Sequence, residues 1–200
     1  SGACGECKAR LLSGHLAPGC LPDYQFSAAE KAANYFLTCH ACTLEDLEIE
    51  VHEAGSAEDM PLQQIETRVA RLEHPHPDVM VVHLRTPRSQ SLRFLAGQHI
   101  SLSIEGLPAR NKSLASCPCN AMNLQIHIRH VPGDVFSEYV FTRLKPSQTV
   151  MIEGPSGRFS LDEASKRPIL FIAYETGFAP VKSIIEHAFA LEAEQAIHLY

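Results

Sequence analysis

Between Ile65 and Leu161, short apolar runs recur between proline and glycine turns, and this rhythm constrains the fold more than any other feature. The runs are Val69 to Leu72, Val79-Met80-Val81-Val82-His83-Leu84, His99-Ile100-Ser101-Leu102-Ser103-Ile104, Leu124-Gln125-Ile126-His127-Ile128-Arg129 and Thr149-Val150-Met151-Ile152. Runs of this length, rich in β-branched residues and bounded by turn formers, predict strands. Several at this spacing predict a small antiparallel β-barrel. One helix, from Ser137 to Leu144, is expected to interrupt it.

After this region the pattern changes. Pro168-Ile169-Leu170-Phe171-Ile172-Ala173 is continuously apolar, as expected of a strand buried on both faces. Ala179 to Leu191 has helical spacing through Val181, Ile184, Ile185, Ala188 and Phe189. Ala196 to Tyr200 starts another strand. Strand, helix and strand predict one β-α-β unit of a parallel sheet. Before the barrel region, Ser27-Ala28-Ala29-Glu30 predicts a capping box opening one helical turn. Leu47-Glu48-Ile49-Glu50-Val51 alternates like a half-buried strand. His52 to Pro61 is acidic and holds Gly55, Ser56 and Pro61, a linker composition. The expected division is therefore a first domain at 1–53, a linker at 54–64, a barrel at 65–165 and the start of an α/β domain at 166–200.

Charge and cysteine usage narrow the function. The net charge is −6 with no Lys/Arg run, which argues against a nucleic-acid partner. No stretch is long and apolar enough to cross a bilayer. Seven cysteines are an odd number. They cluster as Cys4/Cys7, Cys39/Cys42 and Cys117/Cys119, which argues against a secreted disulfide framework. A reducing cytoplasm with some metal-binding thiolates is expected, with Cys117 and Cys119 as loop residues.

Cys4-Gly5-Glu6-Cys7 with the distant Cys39 is a set of soft ligands. Zinc is one reading, with Cys39-x2-Cys42 as a second close pair. An iron–sulfur cluster is the other. Ser1 to Cys7 resembles the end of a plant-type [2Fe–2S] loop, and Lys8 to Gly14 resembles the strand that leaves it. Thr38-Cys39-His40-Ala41, then Asp46-Leu47-Glu48-Ile49-Glu50, resemble a run found in ferredoxin-like domains of reductases. That resemblance implies Cys4, Cys7 and Cys39 as metal ligands and leaves Cys20 and Cys42 spare. The first cysteine of the pattern would lie two places before Ser1, and the chain stops inside its β-α-β unit, so a fragment incomplete at both ends is expected.

Arg110-Asn111-Lys112-Ser113-Leu114-Ala115-Ser116 resembles the Arg-x-Tyr-Ser flavin signature of the ferredoxin–NADP reductase-like superfamily, with Lys112 in the tyrosine position. In that family the arginine binds flavin phosphate and the serine touches the flavin. A guanidinium fork suits a pyrophosphate. Phe94-Leu95-Ala96-Gly97-Gln98-His99 resembles the family's entry to a barrel strand. His127-Ile128-Arg129 and Pro132-Gly133-Asp134-Val135-Phe136-Ser137 resemble the strand and Gly-Gly-x-x-Ser turn that hold the pyrophosphate. Asp134 stands at the second glycine. A helix opening near Ser137 would aim N–H groups at that anion. Gly154-Pro155-Ser156-Gly157-Arg158-Phe159 is similar to the Gly-Pro-x-Gly-x-Phe element that closes the barrel. The resemblance implies Arg110, Lys112, Ser113, Leu114, His127, Ile128, Arg129, Gly133 and Ser137 as flavin-binding residues. His127 and His130 also read as partly buried, satisfied histidines without a proton-transfer role.

Tyr174-Glu175-Thr176-Gly177-Phe178-Ala179-Pro180 resembles the family's Gly-Gly-Thr-Gly-x-x-Pro loop for NAD(P)H. Tyr174 and Glu175 replace two glycines. Thr176, Gly177 and Pro180 are the implied nicotinamide residues, at a strand–loop–helix junction suited to a dinucleotide.

As a whole the chain resembles flavin reductases with an N-terminal ferredoxin domain, a group that includes reductase components of bacterial oxygenases and CDP-6-deoxyhexose reductase-type proteins. The implied fold is multidomain, α+β and α/β: a partial β-grasp ferredoxin domain, a six-stranded antiparallel flavin-binding β-barrel, and the start of a parallel α/β nucleotide-binding domain. The implied function is electron transfer from NAD(P)H through FAD to a [2Fe–2S] cluster and on to a partner oxygenase or dehydrase. A non-catalytic electron-transfer module and a zinc-stabilised scaffold are the competing readings.

Overall fold

The computed structural model of the chain describes residues 7–17, 22, 24–43, 45–51 and 57–200. The chain divides into two compact units, residues 1–55 with 88–91, and residues 56–87 with 92–200.

The first unit holds β1 (Lys8–Ser13), α1 (Ala28–Ala32), β2 (Tyr35–Leu37) and β3 (Glu48–Glu50). The strands form an antiparallel sheet in the order β2-β1-β3. The expected capping box opens α1. The Ser27 N–H donates to Glu30 Oε2 at 2.8 Å, and the Glu30 N–H donates to Ser27 Oγ at 3.2 Å. Glu30 also accepts from Lys8 Nζ at 2.6 Å, which ties the short helix to the first strand. β3 forms where the alternation predicted it, but it is not half-buried. Ile49 and Val51 are 40% and 42% exposed. β3 is an edge strand paired to β1 alone, so alternation in its sequence has no second layer to bury against among the described residues.

The second unit runs through β4 (Gln63–His76), β5 (Val79–Arg85), β6 (His99–Ser103), β7 (Arg110–Ser113), β8 (Asn123–Arg129), α2 (Val135–Thr142) and β9 (Thr149–Ser156). These six strands form one antiparallel sheet in the order β7-β6-β9-β4-β5-β8. A bridge between Leu114 and Ile126 joins the two edges, so the sheet closes on itself. Closure removes the unpaired edges that an open sheet exposes. Alternation explains the interior: Ile65, Thr67 and Val69 of β4 are buried, while Gln64, Glu66 and Arg68 are exposed. The buried Thr67 hydroxyl is satisfied by donating to the Val150 carbonyl at 3.0 Å. Phe136 and Val140 of α2 pack into the same core as Ile100, Leu114, Ile126, Ile128 and Ile152. Burying each such side chain contributes roughly 1.5–3 kcal/mol.

Three boundaries differ from expectation. β4 starts at Gln63, inside the span expected to be linker, and extends far beyond Val69 to Leu72. Residues 54–56 of that span lie outside the described residues. The strand is long because it pairs with β9 along its first half and β5 along its second. The helix expected from Ser137 to Leu144 opens two residues earlier, because Asp134 caps it.

The unit ends with β10 (Ile169–Phe171), α3 (Phe178–Ala190) and β11 (Ile197–Leu199). β10 and β11 pair in parallel, as the β-α-β pattern predicted. Ala96, Phe171, Val181 and Ile184 form a second core, with Ile169 and Ile197 packed against it. The apolar run is not buried on both faces: Leu170 of β10 is 61% exposed, and Ile172, just past the strand, is 81% exposed. α3 covers one face of this two-stranded sheet. Phe189, expected on the buried stripe, is likewise 74% exposed. No helix among the described residues is long and apolar enough to cross a membrane.

Candidate functional site

The first cluster is built by strand register. Lys8 of β1 pairs with Leu37 of β2, so the residues just outside the ladder, Cys7 and Thr38-Cys39, are brought side by side. The Thr38 N–H donates to the Cys7 carbonyl at 3.0 Å, and the Cys7 and Cys39 sulfurs lie 3.1 Å apart. Burial pushes the Cys7 thiol up, but hydrogen bonds from the Cys39 side chain and backbone outweigh it and hold it below its ordinary value. Two facing thiols fit soft metal ligation. Cys4, the third expected ligand, lies outside the described residues. Cys42 is exposed. No group of three or more metal-ligating side chains occurs among the described residues.

The second cluster lies where β7 meets the N-terminus of α2. In the β6–β7 ladder Lys112 stands opposite Ile100, and Arg110 opposite Leu102. Directly paired residues share a sheet face, so both cations are on the face that carries the core residues. Lys112 Nζ lies 5.5 Å from the centre of the Phe136 ring. Its half-buried position pushes the ammonium below its ordinary pKa, against the pull of the Asp134 charge. Arg110 Nη2 donates to Asp134 Oδ1 at 3.1 Å. Asp134 also caps α2, its Oδ2 accepting from the Ser137 N–H at 2.9 Å. That backbone bond, with Arg110 beside it, holds the Asp134 carboxyl below the usual carboxylate range. The Ser137 hydroxyl is buried and donates to the Val131 carbonyl at 3.1 Å. Gly133 sits at φ +81°, with open space where a Cβ would stand. The Gly133 N–H donates to Glu138 Oε1 at 2.9 Å.

The third cluster is at the end of β8. Arg129 pairs with Glu175 and lies 3.6 Å from Asp78. Glu175 opens a 3-10 turn, Glu175–Gly177, that runs directly into α3. Its φ is +51°, a backbone conformation that glycine adopts freely and other residues rarely do. Thr176 and Gly177 lie in this turn. Pro180 is the third residue of α3, in the first turn, where its missing N–H costs no helical bond.

The remaining expected residues divide by sheet face. Leu114 and Ile128 are fully buried in the barrel core, so their side chains serve packing and only their backbone is available to a ligand. Ser113 pairs with His99 in the β6–β7 ladder. His127 is half-buried on the opposite face from Ile128, and burial lowers its pKa. Cys117 and Cys119, expected as loop residues rather than ligands, form a disulfide. The 3-10 turn at Pro118–Asn120 brings their Cα atoms to 5.2 Å, within bridging range.

The motif reading named Gln98 without a role and missed Ser183. Gln98 is buried. Its side chain accepts from the Leu95 N–H at 2.7 Å and donates to the Gly157 carbonyl at 3.1 Å, linking two of the motifs. Buried Ser183 of α3 donates to the Ser116 carbonyl at 2.7 Å and accepts from the Gly97 N–H at 3.3 Å. A helical serine facing inward among apolar residues was the available signal.

Residues 66–161 match the oxidoreductase FAD-binding domain family. The chain is 34% identical over all 200 residues to the CDP-6-deoxy-L-threo-D-glycero-4-hexulose-3-dehydrase reductase of Yersinia pseudotuberculosis, covering 59% of that protein. It is 31% identical over its full length to the naphthalene 1,2-dioxygenase system ferredoxin–NAD(P)(+) reductase component of Pseudomonas putida, covering 60% of it. Among solved structures it resembles the Amycolatopsis cytochrome P450 reductase GcoB, with a TM-score of 0.66 and 30% identity over the whole chain and 61% of that structure. The ferredoxin reductase in carbazole 1,9a-dioxygenase gives a TM-score of 0.64 at 28% identity, covering 100% of this chain and 59% of that one. The chain thus spans about three fifths of the length of these relatives.

Proposed function

We propose, for a chain whose residues 66–161 match the oxidoreductase FAD-binding domain family, that it is part of an NAD(P)H-dependent reductase whose barrel binds FAD. The observation that carries this reading is the convergence of Arg110, Lys112 and the capped N-terminus of α2 at one corner of the barrel. Two cations and a helix N-terminus suit an anionic dinucleotide. Gly133 adds a turn with open space for close approach. The donor set therefore fits a flavin phosphate. Arg110, Arg129, Gly133 and Ser137 would hold the pyrophosphate side. Ser113, Lys112, His127 and the backbone of Leu114 and Ile128 would line the remainder. Bound FAD supplies the conversion between two-electron and one-electron transfer, which the protein positions and tunes.

Thr176, Gly177 and Pro180 are proposed for NAD(P)H, and Cys4, Cys7 and Cys39 for a [2Fe–2S] cluster that hands electrons to an oxygenase or dehydrase. The closeness of Cys7 to Cys39 supports the cluster reading. The proposed domain plan is ferredoxin-like at 1–53, an FAD barrel that begins with β4 at Gln63 rather than at 65, and nucleotide-binding from 166. A second reading, an electron-transfer module without nicotinamide use, draws support from the Glu175 carboxylate beside Arg129.

The test is an absorbance spectrum of the anaerobically purified chain after incubation with FAD. Retained flavin bands that bleach with NADH or NADPH support the reductase. Retained bands that stay unbleached favour the second reading. A chain that retains no flavin overturns both.

A further inference from the structure

Each arginine proposed for the flavin pyrophosphate is already held by a carboxylate of the chain itself. Arg110 pairs with Asp134 at 3.1 Å, and Arg129 pairs with Glu175. Both carboxylates stand where the resembled family motifs have glycine. Glu175 even keeps a glycine-like backbone, with φ +51°. The donors at the start of α2 are taken in the same way. Asp134 accepts from the Ser137 N–H and Glu138 accepts from the Gly133 N–H.

We propose that Asp134 and Glu175 are built-in competitors for the phosphate-binding arginines, so that these two residues set the chain's affinity for phosphate-bearing flavins. The inference rests on the flavin reading above. A phosphate arriving at Arg110 either displaces Asp134 and forfeits an ion pair, or stays beside it and meets a like charge. Both routes weaken binding. The pairs are only part-buried, with side chains 41% and 30% exposed for Arg110 and Asp134, and 44% and 27% for Arg129 and Glu175. An effect of about twofold to fivefold at each arginine is therefore expected. Glycine carries neither carboxylate; it would free Arg110 and leave Arg129 only the longer 3.6 Å pair with Asp78.

The test compares the full chain with Asp134→Ser, Asp134→Asn and Glu175→Gln. Serine and asparagine keep the helix cap while removing the charge, and glutamine keeps the side-chain size. Fold is checked by circular dichroism and thermal melting, and the two Asp134 variants guard against one failing to fold. Three probes are titrated by calorimetry: FAD, riboflavin and inorganic pyrophosphate. FAD and pyrophosphate should bind the folded variants about twofold to fivefold more tightly than the parent chain, while riboflavin, which has no phosphate, should not change. Equal FAD and pyrophosphate affinities in parent and variants would overturn the inference. So would an equal gain for riboflavin, because the effect would then not be phosphate-specific. Tighter pyrophosphate binding with no uptake of FAD or riboflavin by any of the proteins would support the competitor role and sink the flavin reading.

Discussion

The sulfur atoms of Cys7 and Cys39 stand 3.1 Å apart although 32 residues separate them in the chain. The antiparallel pairing of Lys8 with Leu37 makes this meeting, and Thr38 locks it through the Cys7 carbonyl. If these thiols are metal ligands, Cys39→Ser should cut iron uptake on anaerobic reconstitution with iron and sulfide by about tenfold or more. Cys42→Ser should leave it unchanged. Iron and sulfide analysis of the two variants decides the point, and the reverse order would reassign the ligand.

Gly97 occupies a place that no other residue fits. Its φ is +97°, and a Cβ there would stand 2.3 Å from the Phe159 carbonyl oxygen and 2.9 Å from Ile184 Cδ1. Gly97→Ala should destabilise the chain by at least about 2 kcal/mol. Gly133 also has a positive φ but open surroundings. Gly133→Ala should cost only about 1 kcal/mol, from backbone strain alone. Denaturant unfolding of the two variants measures the contrast, and equal losses would contradict it.

Ser183 ties α3 to the loop after β7. Its hydroxyl is fully buried and serves both the Ser116 carbonyl and the Gly97 N–H. Ser183→Ala leaves both backbone groups without that partner and should cost about 1–3 kcal/mol. A melting temperature equal to that of the parent chain would show that neither bond contributes.

The acid sensitivity of the first unit should trace to Glu30. Hydrogen bonds from Lys8 and then from Ser27 lower its pKa from 4.5 to about 2. A carboxylate with a depressed folded-state pKa stabilises fully above its ordinary value. That contribution should fade as pH falls from 4.5 toward 2. Glu30→Gln should flatten the pH dependence of α1 amide protection across this window. A variant with the same acid profile as the parent would place the sensitivity elsewhere.

Much of the fold was legible because its signals are local. The capping box is a three-residue spacing, and Ser27 and Glu30 make both of its bonds. The alternation at Ile65, Thr67 and Val69 is a two-residue spacing, and it faces the core as read. The β-α-β pattern at the end of the chain likewise formed. Ile49, Ile172 and Phe189 had the right local pattern but are exposed, because burial needs an opposing layer and a pattern does not supply one.

The chemistry at the candidate site depends on distances that no local spacing encodes. The sequence by itself determined which residue types are present and which strands and helices carry them: two arginines, a lysine, a turn glycine and a short helix, in motif order. Only the tertiary structure decided that Arg110 meets Asp134 across 24 residues and Arg129 meets Glu175 across 46. It also decided that Leu114 and Ile128 turn their side chains into the core. The physical reason is closure. Periodicity sets which face a residue takes within its own strand, whereas strand register and the joining of the barrel's edges set which charges end up beside one another.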